Sequence, residues 1–166
     1  VATTAVREAV NRLSFIDRMY IASGIAIEQL EELDVARLTY HSFRQLFRED
    51  ASLAKSEILV TEIGGGSTEI LHVQKGDVAF SQTYRLGSLR LREALESFGA
   101  PVVRQRSLME SDIQRTVSQI RSSVHPCEPL TVLALGGDIR FAASRLVAGW
   151  NPLKQAKLSL QALNRF

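Results

Sequence analysis

The sequence predicts an α/β fold, and three observations carry that reading. Three β-type runs, at about 57–63, 68–74 and 78–85, follow one another with only short glycine-containing turns between them. Stretches with helical apolar spacing flank them, at 31–48 on one side and at 88–98 and 110–123 on the other. A run of Thr131-Val132-Leu133-Ala134-Leu135 then leads through Gly136-Gly137-Asp138 into another helical pattern, which is the β-turn-α unit of an α/β domain. At 166 residues such a chain buries about 70% of its unfolded surface, enough for one good core and a small appendage.

Taken in order, residues 11–22 have helical spacing, and Gly24 ends that helix as a C-cap. Ile25-Ala26-Ile27-Glu28-Gln29-Leu30 reads as a strand. Residues 31–48 form an amphipathic helix, in which Val35, Ala36, Thr39, Phe43, Leu46 and Phe47 recur at three- and four-residue spacing. The polar connection Glu49-Asp50-Ala51-Ser52 marks the expected boundary between residues 1–49 and residues 50–166. In the second part, Lys75-Gly76-Asp77 closes a hairpin, with Gly76-Asp77 as the expected turn pair. Met109, Ile113, Val117, Ile120 and Val124 form an apolar stripe that reads as core rather than as a binding surface. Residues 131–135 read as a fully buried strand, residues 139–148 as a helix, and residues 157–163 as the opening of one more.

The most informative segment is Ile63-Gly64-Gly65-Gly66-Ser67-Thr68-Glu69, between the first two strands. Glycine has no Cβ, so a triple-glycine bend lets an anion approach the backbone amides, while Ser67 and Thr68 add hydroxyl donors. The result is a phosphate cradle of the nest type. Glu62 and Glu69 bracket it, and carboxylates beside a phosphate site commonly hold Mg²⁺ or orient a water. No Gly-Lys-Ser/Thr follows, and Ile70-Leu71-His72-Val73 alternates as a strand, so this is not a Walker loop. Strand, glycine bend, hydroxyl, acid, strand is how actin and Hsp70 type nucleotide-binding domains grip phosphates.

Four stretches make the resemblance more specific: Ala2-Thr3-Thr4-Ala5-Val6-Arg7-Glu8-Ala9, Ala36-Arg37-Leu38, Ile63 to Glu69, and Leu86-Gly87-Ser88-Leu89-Arg90-Leu91. Together they resemble the exopolyphosphatase and guanosine pentaphosphate phosphohydrolase family, along nearly the whole chain. The resemblance implies an actin-like ATPase fold of two ribonuclease H-like domains, with residues 1–49 the end of the first and 50–166 the second, cut short at its C-terminal end. It implies that the chain is an internal fragment, since family members begin well upstream with another phosphate loop. It also implies Mg²⁺-dependent release of terminal phosphate from inorganic polyphosphate or from guanosine pentaphosphate. Gly64, Gly65, Gly66, Ser67, Thr68 and Arg7 would bind phosphate, and Glu62 and Glu69 would position Mg²⁺ or water.

Three departures from the family pattern qualify this. Glu62 stands where the family usually has Asp, one methylene longer. Val35 stands where the family has the glutamate credited with activating the attacking water, and valine takes no proton. Asp34, its neighbour in sequence, and Glu31, one turn earlier on its face, are the acids nearest that position; Asp34 is carried as the candidate base. Asp138 replaces a hydroxyl-rich segment and is expected to cap the following helix, filling an anion site there. A binding module that senses polyphosphate or an alarmone without hydrolysing it is therefore the alternative expectation.

The remaining features exclude rather than assign. A net charge of +2 does not mark a nucleic-acid binder, although Arg85, Arg90, Arg92, Arg104 and Arg106 concentrate positive charge near the middle. Cys127 is the sole cysteine, so no internal disulfide forms, which fits a reducing cytoplasm. No apolar run reaches the length of a membrane span and no signal peptide is visible. His41, His72 and His125 lie on different elements without metal-ligand spacing and read as structural or solvent-exposed. Surfaces left uncovered in a fragment make a homodimer possible.

Overall fold

The structure is a computed structural model, and it describes all residues except 51, 52, 54, 55, 100, 127–129 and 166. Part of the expected boundary at 49–52, and the Cys127 loop, lie outside the described residues. The elements run α1 (Thr4–Arg7), α2 (Arg12–Ser23), α3 (Glu32–Glu49), β1 (Glu57–Ile63), β2 (Thr68–Gln74), β3 (Asp77–Tyr84), α4 (Ser88–Ser97), α5 (Val102–Ser123), β4 (Leu130–Leu135), α6 (Gly137–Leu146) and α7 (Leu160–Leu163).

Among the described residues a four-stranded sheet has the order β3-β2-β1-β4. β1 pairs antiparallel with β2, which pairs antiparallel with β3, while β4 returns parallel to β1 after the α4–α5 crossover. Because side chains alternate along a strand, each strand serves both faces of the sheet. Ile58 and Val60 of β1 and Leu71 and Val73 of β2 meet Phe43 of α3 on one face, all fully or nearly fully buried. Each such side chain contributes about 1.5–3 kcal/mol by leaving water. On the opposite face Ile70, Tyr84 and Val124 form a smaller cluster, joined by Leu59, Phe80 and Ile120.

Several expectations shift. Ile25–Leu30 is not a strand: Ala2 and Gln29 form one isolated parallel bridge, held by Ala2 N–H donating to Glu28 O (2.8 Å) and Leu30 N–H donating to Ala2 O (2.9 Å). The β2–β3 turn is Lys75-Gly76, both at positive φ (52° and 85°), rather than Gly76-Asp77; Asp77 already pairs with Gln74. A two-residue turn with both φ positive matches the twist of the flanking strands, which overrides the cost to lysine. α5 begins at Val102, well before the expected start, because Pro101 at its N-cap launches it. Its stripe is only partly core, since Ile113 is exposed while Val124 is buried. β4 is half-buried, not fully buried: it is an edge strand whose Leu133 and Leu135 face the core and whose Val132 is 54% exposed. Asp138 does not cap α6. Gly136 is the N-cap residue, with φ 109°, and no side chain bonds there.

Candidate functional site

Residues Gly64–Ser67 link β1 to β2, and Gly64 N–H donates to Ser67 O (2.9 Å) across the bend. The carbonyls of the three glycines turn toward α4. Gly64 O accepts from Ser88 N–H (3.3 Å), Gly65 O accepts from Leu89 N–H (2.9 Å) and Arg90 N–H (3.0 Å), and Gly66 O accepts from Arg90 Nε (2.6 Å). These bonds also satisfy the first amides of α4, which has no side-chain cap. In a trans peptide the C=O and the following N–H point in opposite directions. The amides of Gly65, Gly66 and Ser67 therefore share the side away from α4, and among the described residues none has an acceptor. A Cβ on Gly87 would lie 2.3 Å from Gly65 O and 2.7 Å from Gly66 N, so the loop seats on α4 only because residue 87 has no side chain.

The register places Glu62 directly opposite Glu69. Both lie on the sheet face that carries the α3 core, one step past its last buried pair, and both line a cavity of about 620 Å³ with Gly64, Gly65, Gly66 and Ser67. Thr39 of α3 donates its hydroxyl to Glu62 Oε2 (3.2 Å), and Ser67 Oγ lies 3.5 Å from Glu69 Oε1. Burial, and then the charge of Glu62, push the Glu69 carboxyl above its ordinary range. Like charges directly opposite on a sheet repel, and a cation between them converts that repulsion into binding. Among the described residues no three His, Cys, Asp or Glu side chains cluster, so an all-protein cage is absent. Two carboxylates still suit Mg²⁺, which keeps waters and phosphate oxygens in its remaining positions.

Three of the expected residues lie elsewhere. Arg7 donates to Leu30 O (2.9 Å), reaches Glu32 at 3.7 Å and is not among the cavity-lining residues. It pins the isolated bridge to the start of α3, and its charge is felt by Glu69 without contact. Asp34 pairs with Arg37 at 3.7 Å, outside the cavity that Val35 lines. Thr68 is buried and donates to Leu86 O (2.8 Å), because strand alternation turns it to the face opposite Ser67 and Glu69. The cavity gains residues that sequence reasoning did not assign to the site: Thr4, whose hydroxyl lies 3.1 Å from Ser67 Oγ, together with Glu8, Arg90 and Glu93. Arg90 belongs to the Leu86–Leu91 stretch, and its place two residues into α4 is the signal that would have found it.

His41 and His125 are exposed. His72 is buried against Glu57 (2.9 Å). No helix among the described residues is long and apolar enough to cross a membrane.

Comparison with known proteins places this geometry in context. No curated protein sequence matches the chain. Among solved structures, the Aquifex aeolicus member of the Ppx/GppA family aligns with a TM-score of 0.69 at 22% identity, over 99% of this chain and 52% of that one. An exopolyphosphatase from Cytophaga hutchinsonii aligns with a TM-score of 0.72 at 21% identity, over 98% and 53%. An exopolyphosphatase-like protein aligns with a TM-score of 0.70 at 21% identity, over 87% and 45%. The chain thus spans about half the length of these structures. The fold is that of the actin-like ATPases, built on a ribonuclease H-like sheet. The family model for Ppx/GppA phosphatases matches residues 1–145, and the chain belongs to that family.

Proposed function

We propose that the chain is the phosphate-gripping part of a Mg²⁺-assisted phosphoanhydride hydrolase that releases terminal phosphate from inorganic polyphosphate or guanosine pentaphosphate. The observation that supports it is the pairing of three unclaimed amides, at Gly65, Gly66 and Ser67, with two opposed carboxylates in one cavity. The amides hold phosphoryl oxygens, and Ser67 adds its hydroxyl. Glu62 and Glu69 would hold Mg²⁺, which when bound neutralises phosphate charge. In the reaction, a water oxygen attacks the terminal phosphorus, the bridging P–O bond breaks, and the shortened chain leaves with the bridging oxygen. The water's proton needs an acceptor, and Val35 supplies none. Glu69 lines the same cavity beside Ser67 and is the carboxylate proposed to take that proton, with Mg²⁺ then resting chiefly on Glu62. Residues 1–49 and 50–166 belong to successive domains in this reading, and the site lies where they meet.

One observation favours the second reading, a cytoplasmic sensor that binds without turnover: Val35 presents an apolar wall where the base is expected, and Asp34 is turned to Arg37. Calorimetric titration of the chain with tripolyphosphate and Mg²⁺, followed by phosphate release from the full-length protein, separates the two. Binding with turnover near 10 per second marks an ordinary enzyme, whereas salt-sensitive binding with no release marks the sensor. No binding by wild type, with Gly65→Val equally inert, sinks both. The chain alone is expected to release no phosphate, since positioning is worth roughly 7–11 kcal/mol of barrier in favourable cases and the chain spans 52% of the length of the Aquifex aeolicus family structure.

A further inference from the structure

The seam between residues 1–9 and α4 carries a charge arrangement that the proposed hydrolysis does not use. A single oxygen of Glu8, Oε2, accepts from Arg90 Nη2 at 2.6 Å and from Arg85 Nη2 at 3.1 Å. Arg90 Nε is spent on Gly66 O (2.6 Å), which fixes its guanidinium against the glycine loop and leaves its outer end for an anion. That end is on the carbonyl side of the loop, whereas the three unclaimed amides are on the other. One phosphate held by the amides therefore does not also satisfy Arg90, and a chain of phosphates running past the loop does. Glu8, Arg90 and the loop all line the same cavity.

We propose that Arg90 and Arg85 form a second phosphate position, selective for condensed phosphate chains, and that Glu8 occupies it as a built-in competitor until a phosphate displaces its carboxylate. A terminal phosphate offers three oxygens to two guanidiniums where Glu8 engages both through one of its two, so the exchange favours a chain that is already anchored at the glycine loop. The hydrogen bond from Arg90, and then the arginine charges around it, hold the Glu8 carboxyl below its ordinary range, so Glu8 stays an anion throughout the neutral range. Beside it, the Thr4 and Ser67 hydroxyls meet at 3.1 Å, so release of Glu8 loosens the same seam.

This inference rests on the phosphate reading above, and the test separates the two. Tripolyphosphate and orthophosphate are titrated calorimetrically into the wild-type chain, Glu8→Gln, and Glu8→Gln combined with Arg85→Gln, at fixed Mg²⁺ and salt. Removing the two exposed ion pairs of Glu8 is expected to tighten tripolyphosphate about tenfold and to change orthophosphate less than about twofold. Arg85→Gln is expected to cancel most of that gain. Glu8→Asp, which keeps the charge and shortens its reach, shifts affinity the same way by about threefold and carries the test if Glu8→Gln does not fold. Unchanged or weaker tripolyphosphate binding in the Glu8 variants, or a gain that survives loss of Arg85, overturns the proposal while leaving the loop's phosphate site standing. No binding of either phosphate by any variant overturns the phosphate reading and the competitor together.

Discussion

Replacing Gly87 by alanine tests whether the glycine loop is held in shape by its seat on α4. The backbone there is extended (φ −162°, ψ 155°), a conformation open to any residue, so the effect is one of space alone. The new Cβ would meet Gly65 O at 2.3 Å, Gly65 C at 2.5 Å and Gly66 N at 2.7 Å. All three are backbone atoms, and none can rotate aside. Bringing the shortest contact to 3.0 Å requires the loop and the helix start to part by about 0.7 Å, enough to stretch the 2.9 Å bond from Leu89 N–H to Gly65 O out of hydrogen-bond range. Overpacking of this kind costs about 1–3 kcal/mol, or roughly 3–10 °C in Tm for a chain of this size.

The larger effect falls on the ligand. An amide–phosphate hydrogen bond is worth about 1.5–3 kcal/mol, so misdirecting one of the three loop amides weakens tripolyphosphate binding about 10- to 100-fold. Thermal unfolding and calorimetric titration of Gly87→Ala read the two effects separately. Gly137→Ala is the control: nothing lies within 4 Å of its added Cβ and it begins α6, so it is expected to raise stability by about 0.5–1 kcal/mol and leave binding unchanged. A Gly87→Ala chain that melts cooperatively and binds tripolyphosphate like wild type refutes the idea that α4 sets the loop geometry.

The other predictions concern the carboxylates. Burial, and then the charge of Glu62, raise the Glu69 carboxyl above its ordinary value of 4.5, so the folded state holds this proton more tightly than the unfolded chain does. Stability from this group is full below that value and falls as pH rises toward the raised folded value. Glu69→Gln should therefore raise Tm at pH 7, by about 2–4 °C per kcal/mol relieved, and should leave it unchanged below pH 4.5; an equal shift at both pH values would show that the strain is not electrostatic. If Mg²⁺ binds as proposed, wild type should gain about 1.4 kcal/mol of stability at ten times Kd and the same variant should lose that gain. Val35→Glu in the full-length protein should raise phosphate release at least tenfold with little change in affinity if the missing base limits the rate, and should lower it if Glu69 already serves.

The elements around the site were legible because local rules agree there. β1, β2 and α3 combine clean periodicity with a glycine bend, and Gly24 ends α2 in the left-handed conformation (φ 70°), as a C-cap should. What escaped depends on partners distant in sequence. Ile25–Leu30 has strand composition, yet only Ala2 is available to it as a partner among the described residues, so one bridge forms. Arg7 was assigned to phosphate from a matching motif, but the carbonyl of Leu30 and the charge of Glu32 occupy it. Thr68 is the instructive case. Alternation by itself puts Ser67 and Glu69 on one face and Thr68 on the other, and the glycine bend, rich in hydroxyls, masked that period.

The charge of the cavity argues that its ligand arrives with a cation. Glu8, Glu62, Glu69 and Glu93 line it, and Arg90 is the one cationic side chain among the lining residues described. Since Arg90 is matched by Glu8, a bare phosphate would meet the opposed Glu62–Glu69 pair with no unpaired cationic side chain among the described lining residues. At an effective dielectric of about 20, two like charges at 4 Å repel by roughly 4 kcal/mol, more than any single amide bond returns. Under the proposed reading, Mg²⁺ held by the two carboxylates would reverse the sign of that interaction. Selectivity for a metal-bound phosphate would then follow from the placement of acids around the cradle, and the amides of Gly65, Gly66 and Ser67 would need only to fix where its oxygens lie.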